Sequence, residues 1–403
     1  MTMLIKQSDI RAVLMNKLCG EGGFIRVPEG AEYSAEDATN VLLHAATSSS
    51  NSIESAVQDL QAMHPVSRIP CADTVHTYVK ENDIDEMMSF FRKMNSEFID
   101  MVNISDSPQD IAMDFHNVPY YGDKNTKGIV GIQPKNGTSW GYSYLTADLV
   151  GDCKLTLDII NLTALNKNYG TLIEGVINRI DQLGIAIEKI LMDREFFNLA
   201  SIIALNTADI NYVMPAKLNK RIKKILLDFE MAEGMVPGVI KYKFRDDSSP
   251  EFYLVLVPNK NYDPLRREGK DNKKFFVFAT NIKFNSVKEF TKKIPKEYRK
   301  RWNIETGYRM KKVFKIRTCS KSFVARSSFF ILQCIMHNCL NVLKQVVSIT
   351  AYMLKSAICK GIRDSLYVGS DFIRNQSIFE LYNRVKHYNE DRELELRRCL
   401  GLV

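Results

Sequence analysis

The chain has 403 residues, 45% of them hydrophobic, and a formal net charge of +8; that length accommodates two or three domains and a sizeable core. Eight cysteines without a C-x2-C pair, the closest being Cys334 and Cys339, exclude a zinc knuckle and a dithiol redox motif and fit inert thiols in a reducing cytosol. The start MTMLIKQSDIRAVLMNK lacks the basic stretch and apolar run of a secretory signal, so export is not expected.

Residues 1 to about 105 read as short helices. SIESAVQDLQAMHP has helical spacing of its apolar residues, and CADTVHTYVKEN resumes after the proline-containing break HPVSRIP. That order is the shape of a helix-turn-helix whose second helix would enter a DNA major groove, although any small helical bundle gives the same pattern.

From about 110 the texture is that of strands. IAMDFHN is a short apolar run carrying a carboxylate, and YSYLTADLV and KLTLDIINLT alternate apolar with polar residues, which predicts a three-strand antiparallel meander. The glycine-rich stretch NVPYYGDKNTKGIVGIQPKNGTSWGY lacks the order of a phosphate-cradling loop and reads as one long hairpin loop. Helix TLIEGVINRIDQLG, strand IAIEKILMD, helix REFFNLASIIALN and strand INYVMPAK follow, and this alternation predicts a mixed α/β domain with a parallel half.

Residues 218–297 then interrupt with a basic helix, KRIKKILLDFEM, and three strands, GVIKYKF, EFYLVLVP and KFFVFATNI, which reads as an inserted β-rich module. EFTKKIPKEYRKRWNIETGYRMKKVF is helical, with Pro295 near a start or break. The apolar segment FVARSSFFILQCIMHNCLNVLKQVVSITAYMLKSAI is interrupted by Gln333, His337, Asn338, Asn341, Lys344 and Gln345, so a buried helix broken once is expected rather than a membrane span. The residues from 361 onward read as a charged helical tail.

The positive charge is regional. Residues 211–326 hold 29 lysines and arginines against 12 acids, the composition of a surface that binds polyphosphate by releasing counterions, or of a solvated lysine-rich face.

Inside that region YRKRWNIETGYRMKK places one glutamate among arginines, lysines and aromatics. On a single helix at about 100° per residue, Tyr298, Arg301, Glu305 and Lys312 fall within an arc of about 60°. Arg301 and Glu305 alone would be an ordinary i,i+4 ion pair, but Arg309 and Lys312 add more positive charge than one carboxylate needs. Two further acids sit where an α/β fold can use them. Asp114 lies inside an apolar strand, where an unpaired carboxylate costs several kcal/mol to bury, and Asp193 ends a strand at LMDREFF, the kind of carboxyl end where open sheets form sites.

The spacing Y-x2-R-x3-E-x6-K at Tyr298, Arg301, Glu305 and Lys312 resembles the signature of DDE transposases of bacterial and archaeal insertion sequences, specifically the IS-four-like group. MDFHNVPYYGD resembles that group's first-aspartate region and LMDREFF its second, so the resemblance covers about 110 to 350. It implies a ribonuclease-H-like mixed sheet flanked by helices, with a β-rich insertion between the second aspartate and the glutamate, and an N-terminal helical domain. The implied division is 1–105 for binding DNA ends, 106–217 and 298–360 for the catalytic core, 218–297 for the insertion and 361–403 for the tail.

The resemblance also implies roles. Asp114, Asp193 and Glu305 would hold two Mg²⁺ ions, or Mn²⁺ in their place, for in-line phosphoryl transfer. Tyr298, Arg301, Lys312 and Arg309 would hold DNA phosphates, and Trp302 would stack on an unpaired base unless it packs in the core. His116 shares the strand face of Asp114, as a helper at the site or as a structural histidine. The implied partners are the double-stranded element ends and target DNA, with two protomers in a synaptic complex at the nucleoid of a prokaryotic cytoplasm and no membrane. The competing expectations are a catalytically inactive or domesticated DNA-binding protein derived from such an element, and a nuclease that cuts without joining.

Overall fold

The structure, a computed structural model, describes residues 14–367 apart from 21, 50, 65–67, 103, 105–106, 165–167, 245–248, 267–271 and 346–347. The charged tail expected beyond 367 lies outside the described residues. The chain forms two compact units, one within Met1–Ile104, Tyr121–Ile129 and Gly307–Val403, the other within Ser105–Tyr120 and Val130–Thr306.

The first unit is helical. Helix α1 (Ala35–Thr47) starts at Ser34 in a capping box, with Asp37 N–H donating to the Ser34 hydroxyl at 3.2 Å and Ser34 N–H donating to the Asp37 carboxylate at 2.8 Å. It packs on α2 (Ile53–Met63), which is capped by Ser52. The two helices predicted around the HPVSRIP break are α2 and α3 (Ala72–Lys80), and the latter buries Val75, Tyr78 and Val79. Helix α4 (Ile84–Val102) completes the N-terminal set.

The predicted apolar segment is two helices, α10 (Phe323–Lys344) and α11 (Ala351–Tyr367). Helix α10 packs on α3 and α4, and α11 packs on α1. Two of the polar interruptions of α10 are satisfied inside the fold: Asn338 donates to the Asn95 amide oxygen of α4 at 2.8 Å, and Asn341 donates to the His337 carbonyl at 2.9 Å. By length and composition α10 alone among the described helices could cross a membrane, but 89% of its most apolar window is buried inside the fold. Gly128 has φ +83° and a Cβ there would lie 2.1 Å from the Phe323 ring, so only glycine fits.

The second unit is a nine-stranded mixed sheet. Its strands are β1 (Gln109–Pro119), β2 (Val130–Lys135), β3 (Thr138–Leu149), β4 (Thr156–Asn161), β5 (Ile187–Met192), β6 (Asn211–Pro215), β7 (Gly238–Tyr242), β8 (Phe252–Pro258) and β9 (Phe275–Thr280). The order is β2-β3-β1-β5-β6-β9-β8-β7, with β4 also paired to β3. Strands β1, β5 and β6 are mutually parallel neighbours; the others pair antiparallel. The predicted meander and parallel half are both present.

Two readings change. The stretch expected to be one hairpin loop contains β2, which pairs with β3 through a tight turn at Asn136 (φ 51°) and Gly137 (φ 85°), the positive-φ pair a two-residue hairpin needs. The three strands of the expected insertion do not form a sheet of their own: β9 pairs with β6, opposite Val213 to Pro215, so β9, β8 and β7 extend the same sheet.

Alternation along β1 divides the helices between the sheet's two faces. Phe115 stacks on Phe196, with ring centroids 4.8 Å apart, and meets Tyr169 of helix α5 (Tyr169–Gln182) edge-on. Helix α6 (Leu199–Thr207) packs on α5. Asp110 and Asp114 point to the other face, where α8 (Val287–Arg299) lies. Helix α7 (Lys220–Glu233) precedes β7, and α9 (Trp302–Lys311) follows α8.

Candidate active site

The parallel pairing of β1 and β5 sets Met113 opposite Met192, so Asp114 and Asp193, one residue further along each strand, stand at neighbouring places on the sheet. Asp193 leaves the end of β5 and caps a short 3₁₀ turn, its carboxylate accepting from Arg194 N–H at 2.6 Å. The third acid arrives from α9, whose first turn carries Glu305.

Arg301 joins them. Its side chain is 9% exposed, and Nη1 lies 3.2 Å from the Asp114 carboxylate while Nη2 lies 2.9 Å from Glu305. Its Nε donates to the Tyr298 hydroxyl at 2.9 Å, and the guanidinium sits 5.4 Å from the centre of the Tyr298 ring. One planar fork thus binds two acids and a phenol at once, which a lysine cannot do.

The single-helix projection of Tyr298 to Lys312 is corrected here. The helix breaks at Lys300 and Arg301, between α8 and α9, while Pro295 is accommodated inside α8. The junction is held by tight turns, Lys300 N–H to Glu297 O, Arg301 N–H to Tyr298 O and Ile304 N–H to Arg301 O. Tyr298, Arg301 and Glu305 still converge, because those turns keep nearly helical spacing. Arg309 and Lys312 are exposed and lie beyond Thr306, where the chain passes into the helical unit, with Lys312 opening a 3₁₀ turn. Trp302 is 65% exposed, so core packing is excluded for it. His116 is half-buried two residues beyond Asp114.

The electrostatics are uneven. Burial pushes the Asp114 carboxyl up to about 6, the negative charges of Asp193 and Glu305 add to the rise, and Arg301 opposes it. Arg301, in contrast, is held in its charged form by Tyr298, Asp114 and Asp193 in spite of its burial. Asp114 receives less than a full counter-charge, because its nearest cation is shared with Glu305. Burial likewise pushes the Tyr298 phenol up to about 12, so it remains a hydrogen-bond donor at neutral pH.

Whether these residues fit a metal can be tested on the donors. Three carboxylates supply only hard oxygen atoms, the set that Mg²⁺ or Mn²⁺ prefers, and the burial of Asp114 among like charges calls for added positive charge. Among the described residues no three such side chains stand close enough to hold an ion as they are. Arg301 occupies the place between Asp114 and Glu305 instead. The donor chemistry fits such an ion.

A second charged cluster escaped the sequence reading. Asp110, four residues before Asp114 on the same strand face, binds Lys189 at 2.7 Å and Lys300 at 3.0 Å; Glu297 binds the same two lysines at 3.1 and 2.9 Å. This ring ties the end of α8 to β1 and β5. Its members are scattered over the chain, and the only sequence signal was the i, i+4 spacing of Asp110 and Asp114 in an alternating strand.

With this geometry in place, comparison with known proteins is informative. Residues 120–339 match the family model described as Transposase DDE domain. The fold is similar to that of a piggyBac transposase solved by cryo-EM as a synaptic complex with hairpin DNA, with a TM-score of 0.54 and 12% identity over 91% of this chain and 84% of that one. The mixed sheet flanked by helices is thus a ribonuclease-H-like fold. No curated protein matches the chain.

Proposed function

The chain belongs to the transposase DDE domain family, and from that premise we propose that it binds the terminal inverted repeats of a mobile element, cuts DNA at the element ends and joins the freed 3′-hydroxyls to target DNA. The observation that carries this reading is the gathering of Asp114, Asp193 and Glu305, two of which, Asp114 and Glu305, are bridged by the buried Arg301 fork. The spacing of Tyr298, Arg301, Glu305 and Lys312 supports membership of the IS-four-like group and, with it, a prokaryotic host and a cytoplasmic, nucleoid-bound protein.

Asp114, Asp193 and Glu305 would hold two divalent ions, Mg²⁺ or Mn²⁺, which when bound activate the attacking hydroxyl and stabilise the leaving oxygen. The chain's own groups position the DNA. Arg301, released from its carboxylates, offers two parallel N–H donors to a phosphate of the terminal strand, and the Tyr298 hydroxyl donates a third. Arg309 and Lys312 supply further positive charge along the backbone. The exposed indole of Trp302, next in sequence to Arg301, offers a stacking face for an unpaired base beside the cut. Water attacks the phosphodiester at the element end and leaves a 3′-hydroxyl; that hydroxyl then attacks a target phosphodiester, and no covalent protein intermediate forms. That the piggyBac neighbour was solved as a synaptic complex with hairpin DNA supports a synaptic assembly here, in which two protomers would bridge two ends.

The test is a plasmid carrying this gene with its native flanking DNA, incubated with purified protein and Mg²⁺ beside Asp193→Asn. Metal-dependent breaks at the flanks that the variant does not make are expected. Specific binding to the flanks without breaks would replace this reading with an inactive, retained DNA-binding protein.

A further inference from the structure

Strand transfer brings two DNA backbones to one set of carboxylates, and the residues placed so far account for one of them. We propose that a basic groove starting beside Asp193 holds the sugar–phosphate backbone of the other, the target duplex, an assignment that rests on the transposase reading.

The groove has a volume of about 690 Å³ and lies where β5 and β6 end, between α7 and the start of β9. Five bases line it: Arg194, Lys217, Lys223, Lys273 and Lys274. Among the described residues the one lining acid, Glu230, is engaged by Lys274 at 2.7 Å, which leaves four lining cations against no other described carboxylate.

Three observations set it apart from a solvated lysine face. It is concave, whereas solvated lysines stand on convex surfaces. Its lining includes the apolar Leu226, Leu227 and Phe275, and Leu227 is left 53% exposed; such apolar surface seats sugars while the lysines reach phosphates. It also begins at the reacting centre, because Arg194 follows Asp193 directly and donates its N–H to that carboxylate, while Lys217 reaches the carbonyl of Glu195 in the same turn.

The groove also shares no residue with the Tyr298, Arg301 and Glu305 cluster. The two DNAs thus have separate tracks that meet at Asp193. Contacts to phosphates through lysine carry no sequence information, which suits a partner whose sequence varies from one insertion to the next.

The test uses the full chain with Lys217→Ala and Lys223→Ala combined, both exposed side chains, beside the Lys→Arg pair. Binding and cleavage of element ends, joining of pre-cut ends to a non-specific duplex, and the salt dependence of non-specific duplex binding are measured. The expected result is end binding and cleavage within about twofold of wild type, joining reduced at least about tenfold at 0.15 M salt, and a log–log salt slope smaller by about 2, with the Arg pair restoring joining and slope. Joining and slope at wild-type values would overturn the proposal. Equal losses of end cleavage and joining would also overturn it, by giving the groove to the element end. A wild type that binds duplex with the steeper slope but never cuts would sink the transposase reading alone, and the loss of slope in the Ala pair would still support the groove as a backbone site.

Discussion

Strand β1 carries two acidic positions four residues apart on one face, and they meet opposite fates. At Asp110 two acids and two lysines close into a ring in which every charge has two partners. At Asp114 three acids gather around one arginine, which pairs directly with two of them. In the ring, burial works against the Glu297 carboxylate, but the bonds from Lys300 and Lys189 win and hold it low. At Asp114 burial wins and the carboxyl rises to about 6. A balanced cluster is complete as it stands; a cluster with surplus acid keeps an uncompensated carboxylate, a signature of functional sites.

The largest effect expected is on the surplus side. Glu305→Gln removes one oxygen donor from a half-exposed position, so single-turnover cleavage of end DNA should fall at least about 10³-fold, the loss of several kcal/mol of charge stabilisation. Gel-shift affinity for the same DNA and the melting temperature should stay near wild type.

Next in size is the shared arginine. Arg301→Met leaves Asp114 buried without its cation, which should cost about 3 kcal/mol of unfolding free energy at pH 8. The loss should shrink at pH 5, where Asp114 takes up a proton. Urea titrations at the two pH values measure both.

The two clusters should also respond to pH in opposite senses. Asp114 has a folded value raised from 3.8 to about 6, so its contribution is complete below about pH 4 and is lost as pH rises through 6, on the order of 3 kcal/mol without divalent cation. Glu297 has a lowered value, so its contribution is present above the ordinary glutamate range and is lost on acidification. Comparing wild type with Asp114→Asn and with Glu297→Gln across pH 4–8 separates the two, and adding Mn²⁺ above pH 6 should restore stability only on the Asp114 side by giving the buried carboxylate a counter-charge.

The smallest effect should come from the ring. Lys189→Met leaves two half-buried acids sharing Lys300 and should cost about 1–2 kcal/mol, while cleavage falls far less than in Glu305→Gln. A loss of cleavage as large as that of Glu305→Gln would erase the distinction between the clusters.

Much of this was legible in the sequence. Asp114, Asp193, Tyr298, Arg301 and Glu305 were all marked by strand pattern or spacing, and all five share the site's electrostatics. What failed had physical reasons. Strand β2 is short, and Gln133 to Lys135 are exposed, so no apolar alternation betrayed it; the Asn136–Gly137 turn was the missed signal. Strands β7 to β9 were recognised, but their attachment through β6 and β9 joins residues such as Val213 and Thr280, a pairing no local pattern encodes. The helix break at Lys300–Arg301 falls in a run without glycine. There, tertiary bonds from Arg301 to Asp114 and from Lys300 to Asp110 override helical continuity.

The most direct test of the central claim replaces Mg²⁺ with Fe²⁺ and lets ascorbate and peroxide cut the polypeptide wherever the ion sits. The account predicts cuts clustered near residues 114, 193 and 305, suppressed by excess Mg²⁺ and lost in Asp114→Asn. Cuts elsewhere, or cuts at these places that neither Mg²⁺ nor the substitution affects, would contradict it.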